Sequence, residues 1–261
     1  MIYRTDYHIH STFSDGRSAP EEYVEAALKA GLNEIGFSEH LTLFLEPQSW
    51  NMNPERVHEY INYIEGLKKN FPQIKIRKGL EVDYFPGKEK ETGDFLKGLP
   101  LDYVIGSVHY QGDVTVDLGP EFYEGQNVDD LYKTYFDTVI NAVESGLFDI
   151  IGHPDLIRIY GYKPKLSPEK LYRRLAEAMY RNNTAFEVNT NGRNRVLGDF
   201  YPDRKFLNIF LKEKVPVCVN SDAHMPRRVA QYFDEAYDLL RFTGFTEMAA
   251  FEKRERRMLP F

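Results

Sequence analysis

A chain of 261 residues with 42% hydrophobic side chains can bury a sizeable core and lies in the size range of one α/β barrel. Its net charge of −7 disfavours extended nucleic acid as a partner, and no run approaches the roughly 20 apolar residues of a membrane span, so no membrane partner is expected. Cys218 is the only cysteine, and the Met1–Asp6 start lacks the charged and apolar regions of a signal peptide, so a reducing, cytoplasmic location is expected.

Along the chain, short apolar β-branched runs alternate with helical segments. A first strand is expected near 4–10. Ser18-Ala19-Pro20-Glu21 then has the form of a capping box, opening a helix that Gly31 stops. A second strand is expected near 34–38. Asn53-Pro54-Glu55 places a cap before a proline at the first helical position, with an acid to meet the helix dipole. The third strand is expected near 74–81, and the Gly-, Pro- and charge-rich stretch 83–101 reads as loop with a short helix. After a strand near 102–108, segment 128–145 carries Leu131, Tyr135, Phe136, Val139 and Val143 on one helical face, then Gly146. A strand near 148–152 precedes a helix opened by Ser167-Pro168-Glu169. Strands near 185–189 and 215–220, with helices over 203–213 and 228–241, complete the pattern. Strands alternating with helices predict parallel pairing through right-handed crossovers, closing an α/β barrel of about seven strands.

Almost every strand ends in a residue type that binds metal. The first delivers His8 and His10, the second His40, the third Glu81, the fourth His109 and the fifth His153. The sixth gives Glu187 and Asn189, and the seventh Asp222 and His224. Barrel enzymes build their sites at these C-terminal strand ends. Residues i and i+2 of a strand share a face, so His8 and His10 converge, and Asp222 and His224 repeat that spacing. His58, in a polar helical stretch, reads as solvated, and Cys218 as a small buried hydrophobe. Asp6 and Asp83 read as structural residues or supports for ligands. Asp155 is expected either to orient a histidine or to hold a turn, and Glu187 and Asn189 to touch substrate, support a ligand or bond at the strand end.

The segments Asp6-Tyr7-His8-Ile9-His10-Ser11, Asp15-Gly16, Ser38-Glu39-His40, Gly79-Leu80-Glu81, Gly106-Ser107-Val108-His109, Gly152-His153-Pro154 and Asn220-Ser221-Asp222-Ala223-His224 span most of the chain. Together they resemble the polymerase-and-histidinol-phosphatase (PHP) superfamily, of histidinol-phosphatase type. The resemblance implies a distorted seven-stranded TIM-like (β/α)7 barrel, here over residues 1–261, that binds up to three metal ions. It assigns His8, His10, Glu81 and Asp222 to the first ion. Asp15, His40 and His224 fall to the second, and Glu81, His109 and His153 to the third. Aspartate at position 15 resembles the histidinol-phosphatase variant, where some relatives carry histidine. Mixed imidazole and carboxylate donors without thiolate fit Zn, Fe or Mn.

The implied activity is metal-dependent hydrolysis of a small phosphate monoester, L-histidinol phosphate in histidine biosynthesis, with Asp222, His224 or a water as proton donor. Arg158, Arg193 and Arg195 are placed to reach the mouth and meet phosphate, with solvated loop arginines as the competing reading, and Ser107 is expected to donate a hydrogen bond or to pack. Arg158 and Arg195 resemble the family's phosphate-binding positions. Phe13, Phe44 and Tyr110 are expected to stack on an imidazole ring, and Glu39 to meet an ammonium group. Two other readings compete: a PHP phosphoesterase acting on nucleotides or short oligonucleotides, and a non-catalytic metal-stabilised module. Oligomeric state is not legible.

Overall fold

The structure is a computed structural model that describes residues 3–45 and 48–260, so Met1 and Ile2 of the start read for a signal peptide lie outside it. In chain order the elements are β1 (Thr5–Asp6), α1 (Pro20–Lys29), β2 (Glu34–Leu41), α2 (Val57–Asn70), β3 (Lys75–Asp83), α3 (Glu89–Leu96) and β4 (Tyr103–Ser107). A small hairpin follows, β5 (Tyr110–Gln111) and β6 (Val114–Thr115), then α4 (Val128–Glu144), β7 (Ile150–Ile151), α5 (Glu169–Arg181), β8 (Ala185–Asn189) and α6 (Leu207–Lys212). The chain ends with β9 (Val217–Asn220), α7 (Phe233–Thr243) and a second hairpin, β10 (Glu247–Glu252) and β11 (Glu255–Pro260).

Seven strands pair in the order β1-β2-β3-β4-β7-β8-β9, every pair parallel. The sheet nearly closes through a parallel bridge between Ile9 and Ala223. His10 N–H donates to Ala223 O at 3.0 Å, and Ala223 N–H donates to His8 O at 3.1 Å. This is the expected α/β barrel, and its seam runs through the first and last pairs of site residues. Asp6 reinforces the seam: its buried carboxylate accepts from Ser221 N–H at 2.9 Å and Ala230 N–H at 3.1 Å. Among the described residues, no helix is long and apolar enough to cross a membrane.

Local differences from expectation have local causes. β1 and β7 pair over two residues each, because the chain leaves the sheet to present its histidines. The capping box does not form: Ala19 occupies the cap with no side-chain bond, and Pro20 with Glu21 and Glu22 supplies the start instead. α7 begins at Phe233 rather than 228, since Ala230 and Tyr232 adopt φ of 56° and 57°. The face expected on α4 is buried at Tyr135, Phe136, Val139 and Val143, joined by Tyr132 and Ile140. Each such side chain contributes about 1.5–3 kcal/mol on removal from water.

The lower barrel is filled by Tyr7, Tyr103, Ile105, Ile150 and Cys218, and β10 plugs it with Ala249, Ala250 and Phe251. Tyr103 needs two glycines: a Cβ on Gly36 would lie 2.4 Å from its hydroxyl, and one on Gly79 2.3 Å from its ring. Glu34 ties this plug to the barrel. Its fully buried carboxylate accepts from Tyr3 OH at 2.7 Å, Tyr7 OH at 2.9 Å, Arg77 Nε at 2.8 Å and, from β11, Arg257 Nη2 at 2.9 Å. Burial alone would raise its pKa, but Arg77 and the two tyrosines bring it down from 4.5 to about 2. A depressed pKa stabilises the fold above the unfolded value and loses that stabilisation as pH falls through the folded one. Glu34→Gln is therefore expected to cost about 3 kcal/mol at neutral pH, with the difference from wild type shrinking between about pH 4.5 and pH 2. Urea midpoints of both proteins across that range check it, and a pH-independent difference would refute the assignment.

Candidate metal centre

The upper end of the barrel collects all nine expected ligand candidates around Glu81. Its Oε2 lies 3.2 Å from His8 Nε2, 2.7 Å from His40 Nδ1 and 3.6 Å from His10 Nε2. Its Oε1 lies 3.0 Å from His153 Nε2 and 3.7 Å from His109 Nε2. Asp222 Oδ1 is 3.4 Å from both His10 Nε2 and His224 Nδ1. Asp15 Oδ1 is 3.3 Å from His224 Nε2 and 3.7 Å from His40 Nε2. His10 is stacked between His40 and His224, with ring centroids 4.0 and 4.3 Å away.

Four groups bring ligand atoms within 4.8 Å of one another: His10-Asp15-His40-His224, His8-Glu81-His153, His8-His10-Asp222 and His40-Glu81-His109. The nine residues are the ones expected, and the four groups overlap: His8, His10, His40 and Glu81 each belong to two.

The donor set fits cations because carboxylates and imidazoles crowd together in a buried space with several of their polar atoms unsatisfied. His8 Nε2, both ring nitrogens of His10, Asp15 Oδ1, Glu81 Oε2 and His153 Nδ1 are buried without a hydrogen-bond partner. Leaving such atoms unpaired costs about 1–3 kcal/mol each, which a bound cation removes. Electrostatics agree. Burial, then the neighbouring charges of His40 and His224, lower the pKa of His10 to about 3, leaving a neutral imidazole ready to donate. Burial would raise the carboxylates of Glu81 and Asp222, yet the surrounding histidines hold both well below the usual range.

A surrounding layer fixes these rings. Glu187 accepts from His8 Nδ1 at 3.0 Å and from His153 N–H at 2.8 Å, and is itself held by Asn189 and Asn220 at 2.8 and 2.7 Å. Asp83 lies 2.7 Å from His109 Nδ1, which leaves Nε2 toward the centre. Ser107 Oγ donates to Glu81 Oε1 at 2.6 Å. The loop carrying Asp15 is bound by Glu39, which accepts from Ser11 N–H, Ser11 Oγ at 2.6 Å and Ser14 Oγ at 2.5 Å. Only glycine fits at position 16, where a Cβ would lie 2.1 Å from His10 O. Loss of such a supporting partner typically costs 10–100-fold in metal affinity. Asp83→Asn is thus expected to weaken zinc binding by about that factor without unfolding the chain. Competition with a chromophoric chelator measures it, and wild-type affinity would deny Asp83 the role.

The substrate contacts expected from sequence fare unevenly. Arg195 lines a cavity of about 240 Å³ over the metal groups, together with Asp15, His40, His109, Asp222 and His224. Ser107 is fully buried and committed to Glu81 rather than facing that cavity. Arg158 is bonded to Asp155 at 2.9 Å and Phe200 O at 3.1 Å, and lines a neighbouring cavity of about 770 Å³. Arg193 is held by Glu235 at 2.8 Å. Asp155 serves this scaffold and touches no site histidine: it accepts from Arg158, from Tyr172 OH and from Asp203 N–H. Glu39 is fully buried and already occupied, so it is not placed for an ammonium group. Phe13 is buried edge-on against Tyr60, Phe44 lies edge-on to Phe85, and Tyr110 stacks behind Trp50. His58 is exposed as expected, and Cys218 fully buried. Sequence reasoning missed Trp50, Asp117 and Asn191 of the cavity wall, and Arg17 and Arg228 of an adjoining cavity. Arg17, Trp50 and Asp117 lie in turns and bends, and Asn191 and Arg228 in single 3-10 turns, all too short for periodicity to mark a role.

Comparison with known proteins accords with this geometry. A "Probable histidinol-phosphatase" of Deinococcus radiodurans is 34% identical over 264 residues, covering 98% of each chain. The histidinol-phosphatase of Bacillus subtilis is 29% identical, covering 88% of this chain and 97% of the relative. A crystal structure of histidinol phosphate phosphatase from Lactococcus lactis, complexed with zinc, L-histidinol and phosphate, superposes with a TM-score of 0.87 at 27% identity, covering 98% of this chain and all of that one. The family model described as "PHP domain" matches residues 6–191. With a match of that extent, and with the remaining strand and its Asp222 and His224 completing the same barrel and the same centre, the chain belongs to the PHP family.

Proposed function

We propose that this protein is a metal-dependent phosphate-monoester hydrolase that converts L-histidinol phosphate and water to L-histidinol and phosphate, in the cytoplasm. The observation that carries the reading is the nine-residue centre at the mouth of a barrel matched along its whole length by the Lactococcus histidinol phosphate phosphatase. His8, His10, Asp15, His40, Glu81, His109, His153, Asp222 and His224 would hold up to three cations, and their imidazole and carboxylate donors suit Zn, Fe or Mn. When bound, such ions supply positive charge to the phosphate oxygens and lower the pKa of water at neutral pH. The chain's own residues do the rest. Arg195 faces phosphate from the cavity wall. His224, which lines the cavity, would hand a proton to the leaving alkoxide, with the Asp222 carboxylate 3.4 Å from its Nδ1 orienting the ring.

Phosphate release by zinc- or manganese-reconstituted protein tests the reading, with L-histidinol phosphate set against adenosine monophosphate and a bis-aryl phosphodiester. The expected result is a preference for L-histidinol phosphate of at least about 100-fold in kcat/KM. Preference for the nucleotide or the diester would keep the metal centre and discard the substrate.

A further inference from the structure

The cavity over the metal groups is lined by three carboxylates, and two of them, Asp15 and Asp222, belong to the candidate ligand set. The third is Asp117. Its carboxylate is partly buried and forms no hydrogen bond or ion pair with another described residue. An unpaired carboxylate beside a centre built to take phosphate has an electrostatic cost, because it repels the anion the cations attract.

The backbone that carries Asp117 is nevertheless held firmly. Val116 N–H donates to His109 O at 2.8 Å, Tyr123 OH to Val116 O at 3.0 Å, and Tyr160 OH to Asp117 O at 2.6 Å. The segment continues from β6, which pairs with Tyr110 of β5, and Tyr110 stacks on the cavity-lining Trp50 at 6.2 Å. The cavity lining therefore offers an anion on a held backbone, without a partner among the described residues, together with the ring of Trp50. The same lining offers Arg195, an exposed cation likewise without an ion pair among the described residues.

The geometry points to Asp117 as the residue that recognises the cationic part of the substrate, the ammonium or imidazolium group carried by a phosphate monoester, while the metal floor and Arg195 take the phosphate. This rests on the proposed function and deepens it: L-histidinol phosphate carries a cation a few bonds from its phosphate, whereas a nucleotide carries none to pair with Asp117. Asp117 also fills the place that Glu39, bound up with Ser11 and Ser14, does not.

The test is steady-state kinetics of wild type and Asp117→Asn on L-histidinol phosphate and on 4-nitrophenyl phosphate, an ester without a cation. Removing a charge-assisted hydrogen bond that holds the bound ground state raises KM. Asp117→Asn is expected to raise KM for L-histidinol phosphate about 10- to 100-fold, and to reduce kcat/KM there at least about tenfold more than on 4-nitrophenyl phosphate. If wild type prefers L-histidinol phosphate and Asp117→Asn keeps that preference, Asp117 does not recognise the cation although the substrate is right. If wild type shows no such preference, the substrate reading fails, and the role of Asp117 with it.

Discussion

Glu81→Gln is expected to lower kcat/KM for L-histidinol phosphate by at least about 10⁴-fold, the largest effect of any conservative substitution in the chain. The side chain keeps its shape and loses only its charge. That charge lies within 3.7 Å of His8, His10, His40, His109 and His153, and it appears in two of the four groups able to hold an ion. A neutral amide also turns an N–H toward imidazole nitrogens that are themselves positioned to donate electron pairs. Bound metal, measured by elemental analysis, is expected to fall in parallel with activity. Glu81→Asp, which keeps the charge on a shorter arm, should retain more metal than Glu81→Gln. Equal metal content and activity in wild type and Glu81→Gln would remove Glu81 from the centre.

Arg195→Ala is expected to lower kcat/KM by about 10²–10³-fold, the loss typical of removing one preorganised donor from a charged transition state. Arg195 is the one arginine of the three expected from sequence that lines the cavity over the metal groups. Arg158 and Arg193 are tied to Asp155 and Glu235. Arg195→Lys should recover part of the loss, since an ammonium supplies charge without the two parallel donors that match phosphate. Wild-type kinetics in Arg195→Ala would show that the metal floor alone binds the phosphate.

What the sequence makes legible follows periodicity and spacing. The strands of the barrel are readable because apolar runs alternate with capped helices, and the metal candidates because they fall at strand ends two residues apart or alone. The C-terminal hairpin is not legible, and its turn explains why. Lys253 and Arg254 adopt φ of 53° and 65°, the left-handed conformation that Asn-Gly or Asp-Gly usually announces, so the common sequence signal is missing. The overlap of the ligand groups is hidden for another reason: strand order says which ends are adjacent, while the facing of its ring decides that His40 meets both Asp15 and Glu81. Ser107 and Glu39 illustrate a third limit. Both carry polar atoms in the right stretch of chain, yet their partners are Glu81, Ser11 and Ser14, and only tertiary structure distinguishes a side chain that faces substrate from one that holds its neighbour.

Whether these nine side chains form a cation-dependent phosphatase centre is decided by metal titration of chelator-stripped protein, with phosphate release from L-histidinol phosphate as the readout. Stripped protein is expected to show no measurable hydrolysis, and activity to recover and saturate at about two to three equivalents of zinc or manganese. Full activity in protein shown by elemental analysis to be free of metal would contradict a cation-dependent centre.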